Sequence, residues 1–307
     1  MPGPYPAASP TLSGDLLTIS RFLQSPTQLS RALRSIMNLR FVSDQLLTNQ
    51  YRTSGGAISY EVSEPILNTR AVQAVAPGST YPFDVPAGGT AALAAVKKWG
   101  EASFLSDEQV KRSVYAGNEI SRTLQKAVNT VVNKIEAITI AAIGSAVTQT
   151  QAAGAAWNAA TPTIFRDIEL AAAKIADQNQ GYNPDTILMS TTKYAYLISD
   201  ATVSNLRARE DTTNPIYGGR MAQIGGFNVV YTSVSNLPSD DVWVLDSTLL
   251  GGMADEVNND PGYVTVDRNI QVQSERVAGR DGWNLWARRL TVPIVQEPAA
   301  ACKITGS

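Results

Sequence analysis

Histidine is absent from all 307 residues, which removes the commonest general base, the usual partner of serine and cysteine nucleophiles, and the commonest zinc ligand. Most hydrolase and metalloenzyme chemistries are excluded with it. Cysteine occurs once, at Cys302, so no intrachain disulfide forms; a reducing compartment and a free, inert thiol are expected. Long hydrophobic runs are also missing. The most apolar one, Ala137 to Val147, covers 11 residues against the ~20 that a membrane-spanning helix needs. The opening MPGPYPAASP has no basic stretch followed by an apolar core, so no secretion signal is expected there. A net charge of −2 gives no strong basic field toward nucleic acid, and 44% hydrophobic residues exclude collagenous and disordered classes.

What the chain does have is an over-long helix. In FLSDEQVKRS, residues 104–113, Ser106 can cap the first free amides and Gln109 can reach back to it. No proline follows before Pro162. Leu124, Val128, Val131, Ile135, Ile138 and Ala142 recur at alternating spacings of four and three, so residues 106–147 read as one helix with an apolar stripe. Some forty residues span about 60 Å, whereas a compact ball of this chain length is about 50 Å across. The helix therefore belongs to an elongated subunit or lies against other chains.

Upstream, residues 1–24 form a lead-in rich in proline, serine and glycine. Leu29, Leu33, Ile36 and Met37 then share one face of a helix from Pro26 to about Leu47. The first fifty residues carry +2, from Arg21, Arg31, Arg34 and Arg40 against Asp15 and Asp44. A solvated face and contact with an acidic partner explain that equally well. From Gly55 to Gly100 the pattern changes to alternation at Ile58, Tyr60 and Val62, followed by the turn-formers PG, YPFDVP and GG. This predicts a long hairpin without enough apolar side chains for a core, an arm lying on a neighbour.

Downstream, TPTIFRDIELAAAKIADQNQG predicts a helix with Thr161 as cap, Pro162 at its first position, Ile164, Ile168 and Ile175 inward, and Gly181 as stop. DTILMS, FNVVYT and VWVLD read as strands, TTKYAYLISD as a helix capped by Ser190, and WNLWARRLTV as a strand ended by Pro293. Residues 181–260 hold ten acids against four bases, a net of −6, while the remainder carries +4. Copies of that lobe would repel one another wherever they meet, unless polar partners or geometry offset the charge.

Sequences that suggest chemistry have plainer uses. STTK, residues 190–193, has the serine and lysine of an acyl-transferase motif but lacks its companion elements, and Ser190 serves better as a cap. The glycine pairs at 218–219 and 225–226 are followed by no Gly-Lys-Ser/Thr and read as turns, and DEVNNDPG lacks the ligand alternation of a calcium loop. Trp283 and Trp286 fall on opposite faces of a strand, which suits packing rather than base stacking.

The order of these parts resembles the major capsid proteins of tailed double-stranded DNA bacteriophages, a fold shared with encapsulins. The resemblance rests on VAPGSTYP at 75–82, KKWGEASFLSDEQV, NPDTILMSTTKYAYLISD, and IGGFNVVYTSVSNLP followed by VWVLD. It implies an α+β chain with an N-terminal arm (1–50), an extended loop (51–100), a peripheral domain (101–182 and 261–307) with a spine helix at 106–147, and an axial domain (183–260). It further implies hexamers and pentamers tiling an icosahedral shell around DNA held without sequence specificity, with no enzymatic activity, cofactor or metal. Arg70, Tyr81, Phe83 and Trp99 are then the expected subunit contacts. Portal and decoration proteins become possible partners. A separate scaffolding protein is expected, since the chain has no room for a fused scaffolding domain. The implied location is the virion capsid, assembled in the host cytoplasm without a membrane. Some members crosslink through a loop lysine; residues 53–96 contain none. The alternative reading is a nanocompartment shell enclosing cargo enzymes.

Overall fold

The computed structural model describes residues 42–86, 88–112, 116–206, 222–237, 239–257, 262–266 and 269–307. The expected arm helix at 26–47 lies outside these residues except for its end, where α1 (Ser43–Leu46) forms a short turn of helix. Then come β1 (Asn49–Thr53), β2 (Ala57–Val62), β3 (Thr90–Ala95), β4 (Lys97–Ser106), α2 (Asp107–Arg112), α3 (Ala116–Ala146) and β5 (Thr150–Ala152). Next are α4 (Ile164–Ala176), β6 (Thr186–Ser190), α5 (Thr191–Ser199), α6 (Ala201–Leu206), β7 (Gln223–Ile224), β8 (Phe227–Thr232) and β9 (Val242–Leu245). The chain closes with β10 (Gly251–Glu256), β11 (Val264–Thr265), β12 (Gln271–Val277), β13 (Gly282–Val295) and β14 (Ala301–Thr305).

These elements fall into two compact units, one holding Gly100–Val131 and the described part of Asn259–Arg289. In this smaller unit β12 pairs antiparallel with β13, from Gln271↔Arg288 to Val277↔Gly282, and β11 adds at Val264↔Val272. On β13, Trp283, Leu285 and Ala287 are buried while Asn284, Trp286 and Arg288 are half-exposed, so the two tryptophans do face opposite ways. The expected capping box forms here: Gln109 N donates to Ser106 Oγ (3.2 Å), and Ser106 N donates to Gln109 Oε1 (3.1 Å). Arg276 reinforces that helix start with two bonds to Asp107, at 2.7 and 2.8 Å, and this partner holds the Asp107 carboxyl below its usual range.

The larger unit holds the described part of Arg40–Trp99, with Val132–Asn258 and Leu290–Ser307. Its main sheet runs β5-β14-β9-β6-β8-β7. Every residue of β6 is buried, as an uninterrupted TILMS run predicts for a central strand. Helix α4 lays Ile164, Ile168, Ala171 and Ile175 onto Ile187, Met189, Val242, Val244 and Ile304, which together form the core. The same unit pairs β1 with β10 in parallel and β10 with the Leu290–Val295 part of β13 antiparallel.

Three local expectations need correction. Helix α4 begins at Ile164 with Thr163 at the N-cap position, where its hydroxyl makes no bond to the helix amides and instead donates to Asp167 (3.0 Å), a buried carboxylate that also takes Gly154 N and Trp157 Nε1. It ends at Ala176, five residues before Gly181, whose φ of +78° serves the turn that follows. Strand β13 runs through Pro293 to Val295, where Pro293 faces Met253. Pairing with β12 stops at Arg288, and Pro293 lies five residues beyond it, opposite Met253 of β10. On α3 the buried side is Leu124, Val128, Val131, Ile135, Thr139, Ile143 and Val147, leaving Ile138 and Ala142 half-exposed. A straight α-helix drifts ~20° per heptad, and the stripe follows the drift. Thr139 Oγ1 meets Met253 Sδ at 3.7 Å, and a Cβ on Gly144 would sit 3.1 Å from the Trp243 ring. The Arg122–Ala146 stretch is long and apolar enough by composition to cross a membrane, but half of it is buried within the chain, as in a core helix.

Candidate subunit interface

The alternating run Ile58, Tyr60, Val62 forms the stem of the predicted hairpin. Strand β2 pairs antiparallel with β3 in unbroken register from Ala57↔Ala95 to Val62↔Thr90. Ile58, Tyr60 and Val62 lie opposite Ala94, Ala92 and Thr90, partners too small to cover them, and remain only half-buried. At the stem exit a Cβ on Gly89 would stand 2.8 Å from the Val62 carbonyl, so the strands can part there only over glycine.

Between the stem strands, residues 63–86 and 88–89 contain no helix or strand. Asp84 organises this tip. Its Oδ2 accepts Arg70 N (3.0 Å) and Thr69 Oγ1 (3.4 Å), its Oδ1 accepts Val85 N (3.0 Å), and Arg70 Nη1 donates to the Phe83 carbonyl (3.0 Å). The PG turn closes through Ser79 N to Ala76 O (3.0 Å). Polar bonds thus hold the two limbs together while the apolar side chains face out. Val72 is 99% exposed, Phe83 86%, Val85 85% and Tyr81 77%. With Ile66, Leu67 and Leu93 they make seven of the thirteen large exposed hydrophobics among the described residues, all within 28 positions. One exposed apolar side chain is ordinary, but such a concentration marks a surface made to be covered.

Of the four residues expected at subunit contacts, Arg70 and Phe83 are brought together by their hydrogen bond, and Tyr81 stands two residues along the same limb. Trp99 is apart from them on β4, half-buried, with Lys134 Nζ of α3 5.6 Å from its ring centre. Val72, Val85 and the organising Asp84 escaped the sequence reading. Their only signal was apolar residues scattered without period between prolines.

The chemically suggestive motifs serve structure. Ser190 Oγ accepts Lys193 N (3.1 Å) as the cap of α5, and Lys193 Nζ reaches the Ser307 carbonyl and Asp240 (3.8 Å), not the serine. Gly225 and Gly226, at φ +57° and +92°, turn β7 into β8. Cys302 is buried, and burial pushes its thiol above the usual range. The 218–219 pair and residues 258–261 of DEVNNDPG lie outside the described residues. No group of three potential metal ligands occurs among the described residues. Several acids of the 181–260 region act as acceptors: Asp246 takes Asn183 N, Thr248 N and Leu249 N, and Asp185 takes both Ser247 N and its hydroxyl.

Residues 89–304 match the family described as phage capsid protein. No curated protein sequence matches. Among solved structures, the fold is similar to that of Microbacterium phage Oxtober96 (14% identity, TM-score 0.56, covering 86% of this chain and 90% of that one). It is also similar to the capsid of cyanophage P-SCSP1u (14%, 0.59, 85% and 86%) and to a virus-like particle from Pyrococcus furiosus (12%, 0.57, 90% and 96%).

Proposed function

Because the chain belongs to the phage capsid protein family, it is a structural major capsid protein, and we propose that it closes into hexamers and pentamers that tile an icosahedral shell around packaged double-stranded DNA. The observation that carries this reading is the coreless hairpin. Each large side chain moved from water to an apolar surface contributes ~1.5–3 kcal/mol, so Val72, Tyr81, Phe83 and Val85 together supply an assembly drive of several kcal/mol per contact. Heterologous contacts of this kind close into rings when their rotation allows. In this assembly residues 51–100 are the extended loop, 101–182 and 261–307 the peripheral domain, 183–260 the axial domain and 1–50 the arm. Arg70 organises the loop, Tyr81 and Phe83 meet the neighbour, and Trp99 borders the contact. No step of this function calls for catalysis. A separate scaffolding protein and a portal would complete the head, in the host cytoplasm.

The test is the double variant Tyr81→Ser, Phe83→Ser. Wild type is expected to elute in the void volume and to show shells by electron microscopy, while the variant elutes near the 32.8 kDa monomer with unchanged circular dichroism. Shells of normal yield from the variant would refute the role of the loop. The similarity to a virus-like particle keeps a nanocompartment in view. Nuclease-resistant DNA inside purified particles supports the phage head, and enclosed enzyme without DNA supports the compartment.

A further inference from the structure

Three of the first four residues leaving β2 have their backbone amides captured by groups distant in sequence. Ser63 N donates to the Gln296 carbonyl (2.9 Å), Glu64 N to Glu297 Oε1 (3.2 Å) and Ile66 N to Gln180 Oε1 (3.0 Å). The fourth residue, Pro65, has no amide to offer. Ser63 itself stands at φ +55°, a left-handed conformation that a serine holds only when its surroundings impose it. The capturing groups are in turn fixed. Glu297 Oε2 accepts Tyr182 OH (2.8 Å), and Gln296 Oε1 accepts Tyr51 OH (2.7 Å). Burial, and then the Glu297 bond, push the Tyr182 hydroxyl well above its ordinary range, so it stays a donor.

We propose that Gln180, Tyr182 and Glu297 are positioning residues, a latch that sets the direction in which the extended loop leaves its own subunit. The stem and tip have little packing of their own, so rigid aim has to come from the root. Amides 63, 64 and 66 are the only main-chain N–H donors that residues 63–66 possess, because Pro65 has none. Gripping all three fixes both the strained Ser63 and the path beyond it. The part of this inference that concerns assembly rests on the capsid reading, whereas the latch itself does not.

Amide hydrogen exchange on the unassembled full-length chain tests the latch directly. Glu297→Ala removes the partner of Glu64 N, and Gln180→Ala that of Ile66 N. Each is expected to speed exchange at its own amide by roughly fivefold or more, the equivalent of one lost hydrogen bond. Amides of β6 serve as the control and stay unchanged. Glu297→Gln keeps an acceptor oxygen for Glu64 and an amide group facing Tyr182, so it restores slow exchange. Unchanged exchange at Glu64 and Ile66, or acceleration spread equally to β6 in both variants, would overturn the latch. The second readout is assembly: Glu297→Ala slows shell formation several-fold and Glu297→Gln rescues it. Normal assembly with a loosened root would remove the positioning role while leaving the latch. If wild type forms no shells at all, the capsid reading fails and the exchange data still decide the latch.

Discussion

Glu136 is 8% exposed on α3, where it accepts Val42 N (3.2 Å) and Asn236 Nδ2 (3.4 Å). Burial raises its pKa, the Val42 bond lowers it in part, and Asp44 raises it again, leaving a net upward shift. The folded state therefore binds a proton more readily than the unfolded chain. The resulting cost is absent below the ordinary glutamate range, appears as pH rises through the raised value, and is complete above it. Glu136→Gln keeps an acceptor for Val42 and removes the charge. Because its amide nitrogen then faces Asn236, the expected readout is the pH dependence: the melting temperature of the variant relative to wild type is higher at pH 7 than near pH 4, which calorimetry at the two pH values checks. Asp107 runs the opposite way: half-exposed and held low by Arg276, it favours the fold above the carboxylate range and loses that effect as pH falls. No sequence pattern distinguishes these two acids, because their character comes from partners 94 to 169 positions away.

Helices and strands were more legible than single side chains. The box at Ser106 and Gln109 needs only residues three apart, so it survives any tertiary context, and Ser106→Ala is expected to cost about 1 kcal/mol in urea unfolding. Likewise the buried β6 and the Ser190 cap follow from local composition. Departures arose where a local side-chain bond or a partner strand outweighed the linear pattern. Asp167 holds the Thr163 hydroxyl just before α4, pairing with β10 carries β13 past Pro293, and the drift of a straight helix moves the stripe off Ile138. The hairpin of the candidate interface was legible from its alternating stem, but the Asp84 clip joins residues 14 apart in an aperiodic segment, beyond the reach of any periodicity.

For the assembled protein, the lack of lysine across residues 53–96 leaves the hairpin stem and tip without the nucleophile that a loop-borne isopeptide crosslink requires. Mature particles boiled in detergent are expected to run as a single band near 32.8 kDa, and a ladder of multiples would show another crosslink chemistry. In the proposed assembly, cohesion of the shell then rests on non-covalent contacts that include those of the loop. Phe83 and Val72 standing almost fully in water have one more outcome for the newly made chain. If the proposed loop contact holds, its adhesive is on display before any partner arrives, so the interval between synthesis and capture by a growing shell, more than the strength of its own fold, is expected to set how much coat protein is lost to clumping.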